Sequence, residues 1–167
     1  MNVGELLVIV TVLVLCGIGI AALALVLDVM FTRVIRRARN TAERMPFRAA
    51  GIGFINLLFF SIISIALLSI AQEGASDEGF AGLLRLIAAI ILLVLCAFIA
   101  FGIAAIARWV GERLSPNATT TRQIVNGVVA LELASLAPFV GWVLVPLVAI
   151  LVGYGAVIIA LVWRKDT

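Results

Sequence analysis

The stretch FAGLLRLIAAIILLVLCAFIAFGIAAI, Phe80 to Ile106, decides the fold, because Arg85 is its single charged side chain. As an α-helix rising about 1.5 Å per residue it reaches about 40 Å, more than the ~30 Å hydrocarbon core of a bilayer. A run this long and this apolar predicts a membrane-spanning helix.

Outward from that run, the two flanks differ in charge. On its N-terminal side, Gln72 to Gly79 is short, contains glycine and is acidic through Glu73, Asp77 and Glu78. On its C-terminal side, Arg108, Arg113 and Arg122 surround Ser115-Pro116-Asn117, a turn signal. Two further apolar runs precede the acidic loop, Leu6 to Leu27 and Ala49 to Ala71. The stretch between them carries Asp28 and then Arg33, Arg36, Arg37, Arg39, Arg44 and Arg48. Short loops rich in Lys and Arg stay on the cytoplasmic side of a membrane. Both arginine-rich connections are therefore expected to face the cytoplasm, with the acidic loop and the N-terminus outside. The first run is too long for a signal-peptide core and no cation precedes it, so it reads as a retained helix.

Within the basic stretch, about residues 29–45, Phe31, Val34, Ile35, Ala38, Ala42 and Met45 recur at spacings of three and four. The arginines fall between them, as in an amphipathic helix lying in the membrane surface with its cations against anionic headgroups. A plain extension of the first helix into the cytoplasm is the alternative. Pro46 ends the helix in either case, since proline breaks the hydrogen-bond ladder.

The final stretch, Ile124 to Trp163, would be about 60 Å long as one helix, about twice the bilayer core, so it must be broken. Pro138 and Gly141 mark the expected break, with a further kink at Pro146. In one arrangement about 124–137 is a short or re-entrant segment and 143–162 crosses the membrane, placing Arg164 and Lys165 in the cytoplasm. In the other, the first part lies on the cytoplasmic surface and the cations end outside. The terminal cations and the interfacial Trp163 favour the first. The expected fold is thus a single all-α integral membrane domain, residues 1–167. It has four long spans and a Pro/Gly-broken C-terminal segment that adds a short fifth or re-entrant helix. Leu13-Val14-Leu15-Cys16 recurs as Leu93-Val94-Leu95-Cys96, and Pro46-Phe47 as Pro138-Phe139, a faint sign of a duplicated hairpin.

Composition agrees and excludes much chemistry. Of 167 residues 65% are apolar and 13% charged, against about 25% charged in soluble domains. The 12 basic and 9 acidic residues sit beside hydrophobic runs, so they speak for membrane orientation and against nucleic acid. With no histidine, His-based catalysis, His-ligated haem and most zinc sites are excluded. No nucleophile elbow, P-loop or carboxylate pair occurs either, so neither an enzyme nor a cofactor or metal protein is expected. Cys16 and Cys96, deep in apolar runs and without a CxxC partner, read as small buried hydrophobes. Gly17-Ile18-Gly19, Gly51-Ile52-Gly53 and Gly153-Tyr154-Gly155 read as places where helices approach closely.

Glu132, about ten positions into a hydrophobic segment, is the first candidate for function, because an ionisable group at membrane depth is costly. If this segment is re-entrant or interfacial, Glu132 is expected to reach water or a backbone amine; in the two-crossing arrangement Arg85 is its candidate partner in a buried ion pair. Asp28 ends the first span, where the helix dipole disfavours an anion, and Arg108 is expected to compensate it. Asn56, Ser61, Ser64 and Asn126 are read as interhelical hydrogen-bonding groups, with a solute path as the alternative.

One resemblance adds to this reading. The order of Met45-Pro46-Phe47-Arg48-Ala49-Ala50-Gly51, Asn126-Gly127, Ala137-Pro138-Phe139-Val140-Gly141-Trp142 and Gly153-Tyr154-Gly155-Ala156 resembles a multi-span prokaryotic membrane domain found with bactofilin-like polymer-forming proteins. The resemblance implies an anchor or scaffold in the prokaryotic inner membrane, and no catalytic residue carries over. A structural, anchoring or assembly component is therefore expected, with a small transporter or channel subunit as the alternative. The expected partners are anionic lipid headgroups, other membrane subunits or further copies of the chain.

Overall fold

In lipid, a backbone can satisfy its own polar groups only within helices or closed barrels, and long apolar runs without alternation choose the former. The computed structural model describes residues 2–73, 78–136 and 140–162, and these form six helices with no strand among them. They are α1 (Val3–Met30), α2 (Thr32–Arg44), α3 (Pro46–Glu73), α4 (Glu78–Leu114), α5 (Thr120–Ser135) and α6 (Val140–Val162). Four of them, α1, α3, α4 and α6, are long and apolar enough to cross a membrane, and each contains one expected span. The chain is a membrane-embedded helical bundle.

The basic stretch folds as an amphipathic helix. At Phe31 the backbone leaves the helical region (φ −125°, ψ 39°), which makes an elbow between α1 and α2. From there Ile35, Ala38 and Ala42 turn inward and are buried. Arg33, Arg36, Arg37 and Arg44 stay exposed on the other face. Pro46 does two jobs: α2 stops before it and α3 starts on it, in the first turn, where the missing N–H is harmless. α4 runs eight residues past the expected span, because nothing from Ala107 to Leu114 opposes a helix until Ser115-Pro116.

The final stretch is broken, but not where the glycine and the second proline suggest. Gly141 and Pro146 both lie inside the continuous α6, so neither ends a helix. Neighbouring helices and local adjustment of the hydrogen-bond ladder let a membrane helix carry proline in its interior. α5 ends at Ser135 with Leu136 as its cap and α6 begins at Val140, and Pro138 lies outside the described residues, as do Arg164, Lys165, Trp163 and Asp77. α5, at about 24 Å, is too short to span the bilayer core alone. Nor does it float on the surface: Gln123, Ile124, Gly127 and Val128 are buried. Both halves of the chain follow the order long, short, long helix.

α4 touches all five other helices, and α6, which touches α2, α3, α4 and α5, is the most buried of the long ones. In its apolar window 39% of residues are buried, against 11% to 17% in the other three long helices. Residues two apart on a helix point about 200° apart. Gly153 accordingly faces α4, where it abuts Gly102, and Gly155 faces α3, where it abuts Ala49 and Gly53. At each place an added Cβ would strike backbone atoms. The glycines thus insert α6 between its neighbours at backbone distance, the contact that drives association where lipid offers no hydrophobic gain. In the other two pairs only Gly53 serves this purpose, Gly17 makes room for the Glu132 side chain, and Gly19 and Gly51 face open space. The core continues from α6 through Ala104 to Ala107, Ile124 and Val128 to Ile35, Ala38 and Ala42, so it sits at the arginine-rich end.

Candidate functional site

The polar chemistry gathers at that end, and it begins with Asp28. Arg108 Nη1 lies 2.6 Å from Asp28 Oδ1, tying the last turn of α1 to α4. Arg108 Nε also meets Glu112 Oε1 at 3.0 Å, one helical turn on. Glu112 Oε2 receives Arg39 Nη2 at 2.6 Å from α2, and Arg39 Nη1 holds Glu43 at 2.7 Å. Glu43 then meets Arg113 at 3.5 Å, and the Arg113 guanidinium lies over the Trp109 ring at 4.7 Å. The result is an unbroken series Asp28, Arg108, Glu112, Arg39, Glu43, Arg113 in which the sign alternates and the formal charges cancel. Each end of it touches α4, and α2 is held between them.

This arrangement bears out the Asp28–Arg108 pairing and corrects the reading of Arg39. Although it belongs to the row of arginines expected to face headgroups, Arg39 is half-buried and engaged by two carboxylates. Its place in the helix explains why: four residues before Glu43, it shares that residue's face toward α4. Glu43 and Glu112 were the missed members. Their signal was the i,i+4 spacing Arg39–Glu43 and Arg108–Glu112, which says that each pair shares a face but not that the faces meet.

Glu132 lies elsewhere. Gly111 abuts Gln123 and Gly127 abuts Ala107, so α5 runs antiparallel to α4. Glu132 consequently falls level with Ile103, and both line an apolar cavity of about 250 Å³ with Cys16, Ile20, Pro146 and Ala149. Its carboxylate presses on Gly17 of α1, where a Cβ would collide with it. The expected pair with Arg85 does not form. Eighteen residues of α4 separate Arg85 from Ile103, about 27 Å at helical rise. Arg85 instead donates to the Ala71 carbonyl at 3.3 Å, joining α4 to the end of α3.

The remaining polar candidates are dispersed. Tyr154 donates to Asn56 Oδ1 at 3.0 Å between α6 and α3, and Asn126 donates to Ser115 Oγ at 2.9 Å. Gln123 donates to the carbonyls of Ser115 and Pro116, closing the turn between α4 and α5. Ser64 is buried with its hydroxyl unpartnered. Asn56 and Asn126 thus hydrogen-bond within the bundle, and no described residues link them into a polar path. No group of acids and thiols among the described residues could hold a metal ion. Cys16 and Cys96 are both exposed on helix surfaces, which corrects the expectation that they are buried; their helices turn apolar surface outward on nearly every side.

No protein-family profile matches the chain, and no curated protein or solved structure matches it either.

Proposed function

We propose that this membrane bundle is a structural, anchoring or assembly component of a complex in a prokaryotic inner membrane, and not an enzyme. The observation that carries this reading is the packing of α6: it is inserted at backbone distance between α3 and α4 through Gly53, Gly102, Gly153 and Gly155. Such a joint is suited to bearing load and unsuited to opening a path. In this reading the arginine-rich end faces the cytoplasm, the N-terminus lies outside, and the exposed arginines of α2, Arg33, Arg36, Arg37 and Arg44, rest on anionic headgroups. The resemblance to a membrane domain that accompanies polymer-forming proteins supports an anchoring role.

A small transporter or channel subunit is the second reading, and the Glu132 cavity favours it, since a carboxylate against apolar surface at that depth is a recurrent feature of ion and proton pathways. One experiment separates the two. The purified protein, reconstituted in vesicles with a pH-sensitive dye, is expected to leave a proton or potassium gradient intact, and gentle-detergent pull-down is expected to recover a stable partner subunit or further copies. A flux abolished by Glu132→Gln would overturn the structural reading. A fluorescent-protein or phosphatase fusion at each terminus tests the orientation.

A further inference from the structure

Where α2 gives way to α3, a groove of about 240 Å³ opens between α3 and α6, lined by Met45, Arg48, Ile52, Ile158, Ile159 and Val162. We propose that it is a binding site for one anionic phospholipid, with the phosphate on Arg48 at the mouth, beside Met45 and Val162, and an acyl chain running inward past Ile158 to Ile52. The proposal does not depend on the anchoring role.

Charge and order along the groove argue for this occupant. Arg48 is exposed, and its guanidinium meets the Met45 sulfur at 3.9 Å, a neutral neighbour. The carboxylates of the arginine-rich end are already committed: Asp28, Glu43 and Glu112 go to Arg39, Arg108 and Arg113. Among the described residues no acid pairs with Arg44 or Arg48, which precede α3 and occupy its first turn. Cationic charge is therefore left over at the mouth of an apolar cleft. Ile52 stands one helical turn beyond Arg48 on the same face of α3, further into the apolar span. A cation at the rim with aliphatic side chains behind it is the complement of a phosphodiester carrying an acyl chain. Neither a free anion, which has no use for the aliphatic wall, nor a zwitterionic lipid, whose own cation repels Arg48, fits as well.

The test is titration of the detergent-solubilised full chain with short-chain phosphatidylglycerol, phosphatidylcholine and glycerol 3-phosphate, followed by native mass spectrometry. Phosphatidylglycerol is expected to bind with one preferred site, and glycerol 3-phosphate to compete poorly. Arg48→Gln is expected to weaken phosphatidylglycerol about fivefold, the effect of one interfacial arginine. Ile158→Trp, which fills the groove and keeps the charge, is expected to weaken it as well, while Arg122→Gln, an exposed cation on α5 outside the groove, leaves it unchanged. Thermal melting of each variant confirms that the bundle is intact, and Arg48→Lys, retaining the cation, is expected to restore most of the affinity. Equal binding of phosphatidylcholine, an unchanged affinity in Arg48→Gln, or an equal loss in Arg122→Gln would overturn the site.

Discussion

Arg108 and Asp28, 80 residues apart in the chain, meet at 2.6 Å with side chains only 13% and 9% exposed. Neither has water enough to stand alone. Removing one partner of a buried pair leaves an uncompensated charge and costs about 3 to 5 kcal/mol, far more than the pair itself contributes. Asp28→Asn and Arg108→Gln should therefore each destabilise strongly, and the double variant by much less than the sum. A double-mutant cycle on unfolding in detergent measures the difference, and simple additivity would refute the coupling.

The two kinds of arginine on α2 should separate by assay. Arg39→Gln is expected to destabilise by about 1 to 2 kcal/mol, since it opens two charge-assisted contacts in the middle of the series. Arg33→Gln should leave the melting temperature within error, because no ion pair among the described residues uses it. It should instead reduce the gain in stability on adding anionic lipid. Identical behaviour of the two variants would show that burial of Arg39 has no energetic meaning.

At the centre of the bundle, Gly102→Val and Gly153→Val should prevent assembly of α4 with α6, a loss of more than about 3 kcal/mol, because each Cβ meets backbone that cannot step aside. Gly51→Ala and Gly19→Ala face open space and should be neutral or stabilise by up to about 1 kcal/mol. Folded yield and melting temperature of the four variants decide it.

Glu132→Gln and Arg85→Gln should give additive changes in stability, as expected of sites about 27 Å apart. Gly17→Ala should instead couple to Glu132, since its methyl group would occupy the place of the carboxylate. The variant Gly17→Ala with Glu132→Ala is expected to recover stability that Gly17→Ala loses, and failure to recover it would remove the contact from consideration.

Much of the bundle could be read from single stretches. Phe80 to Ile106 could only be a helix in lipid, the three- and four-residue spacing from Phe31 to Met45 could only give one apolar face, and Pro46 could only stop one helix and admit the next. An anion ending α1 at Asp28 demanded a cation, a demand stated locally although its answer, Arg108, lies 80 residues away. These are local matters, set by length, periodicity and the reach of one side chain.

What the sequence by itself determined, then, is the solvent, the number of long helices and the placement of charge at one end. Only the tertiary structure decided which faces meet. It put α6 between α3 and α4, linked Glu43 and Glu112 through Arg39, and set Glu132 against Gly17 and not Arg85. The physical reason is that apolar runs carry almost no directional information: lipid satisfies any face of such a helix, so the partners are chosen by where backbones can approach and where charges must be paired. Those conditions involve residues about 50 to 115 positions apart, such as Gly102 with Gly153, Asp28 with Arg108, Asn56 with Tyr154 and Gly17 with Glu132, and they exist only once the helices are side by side.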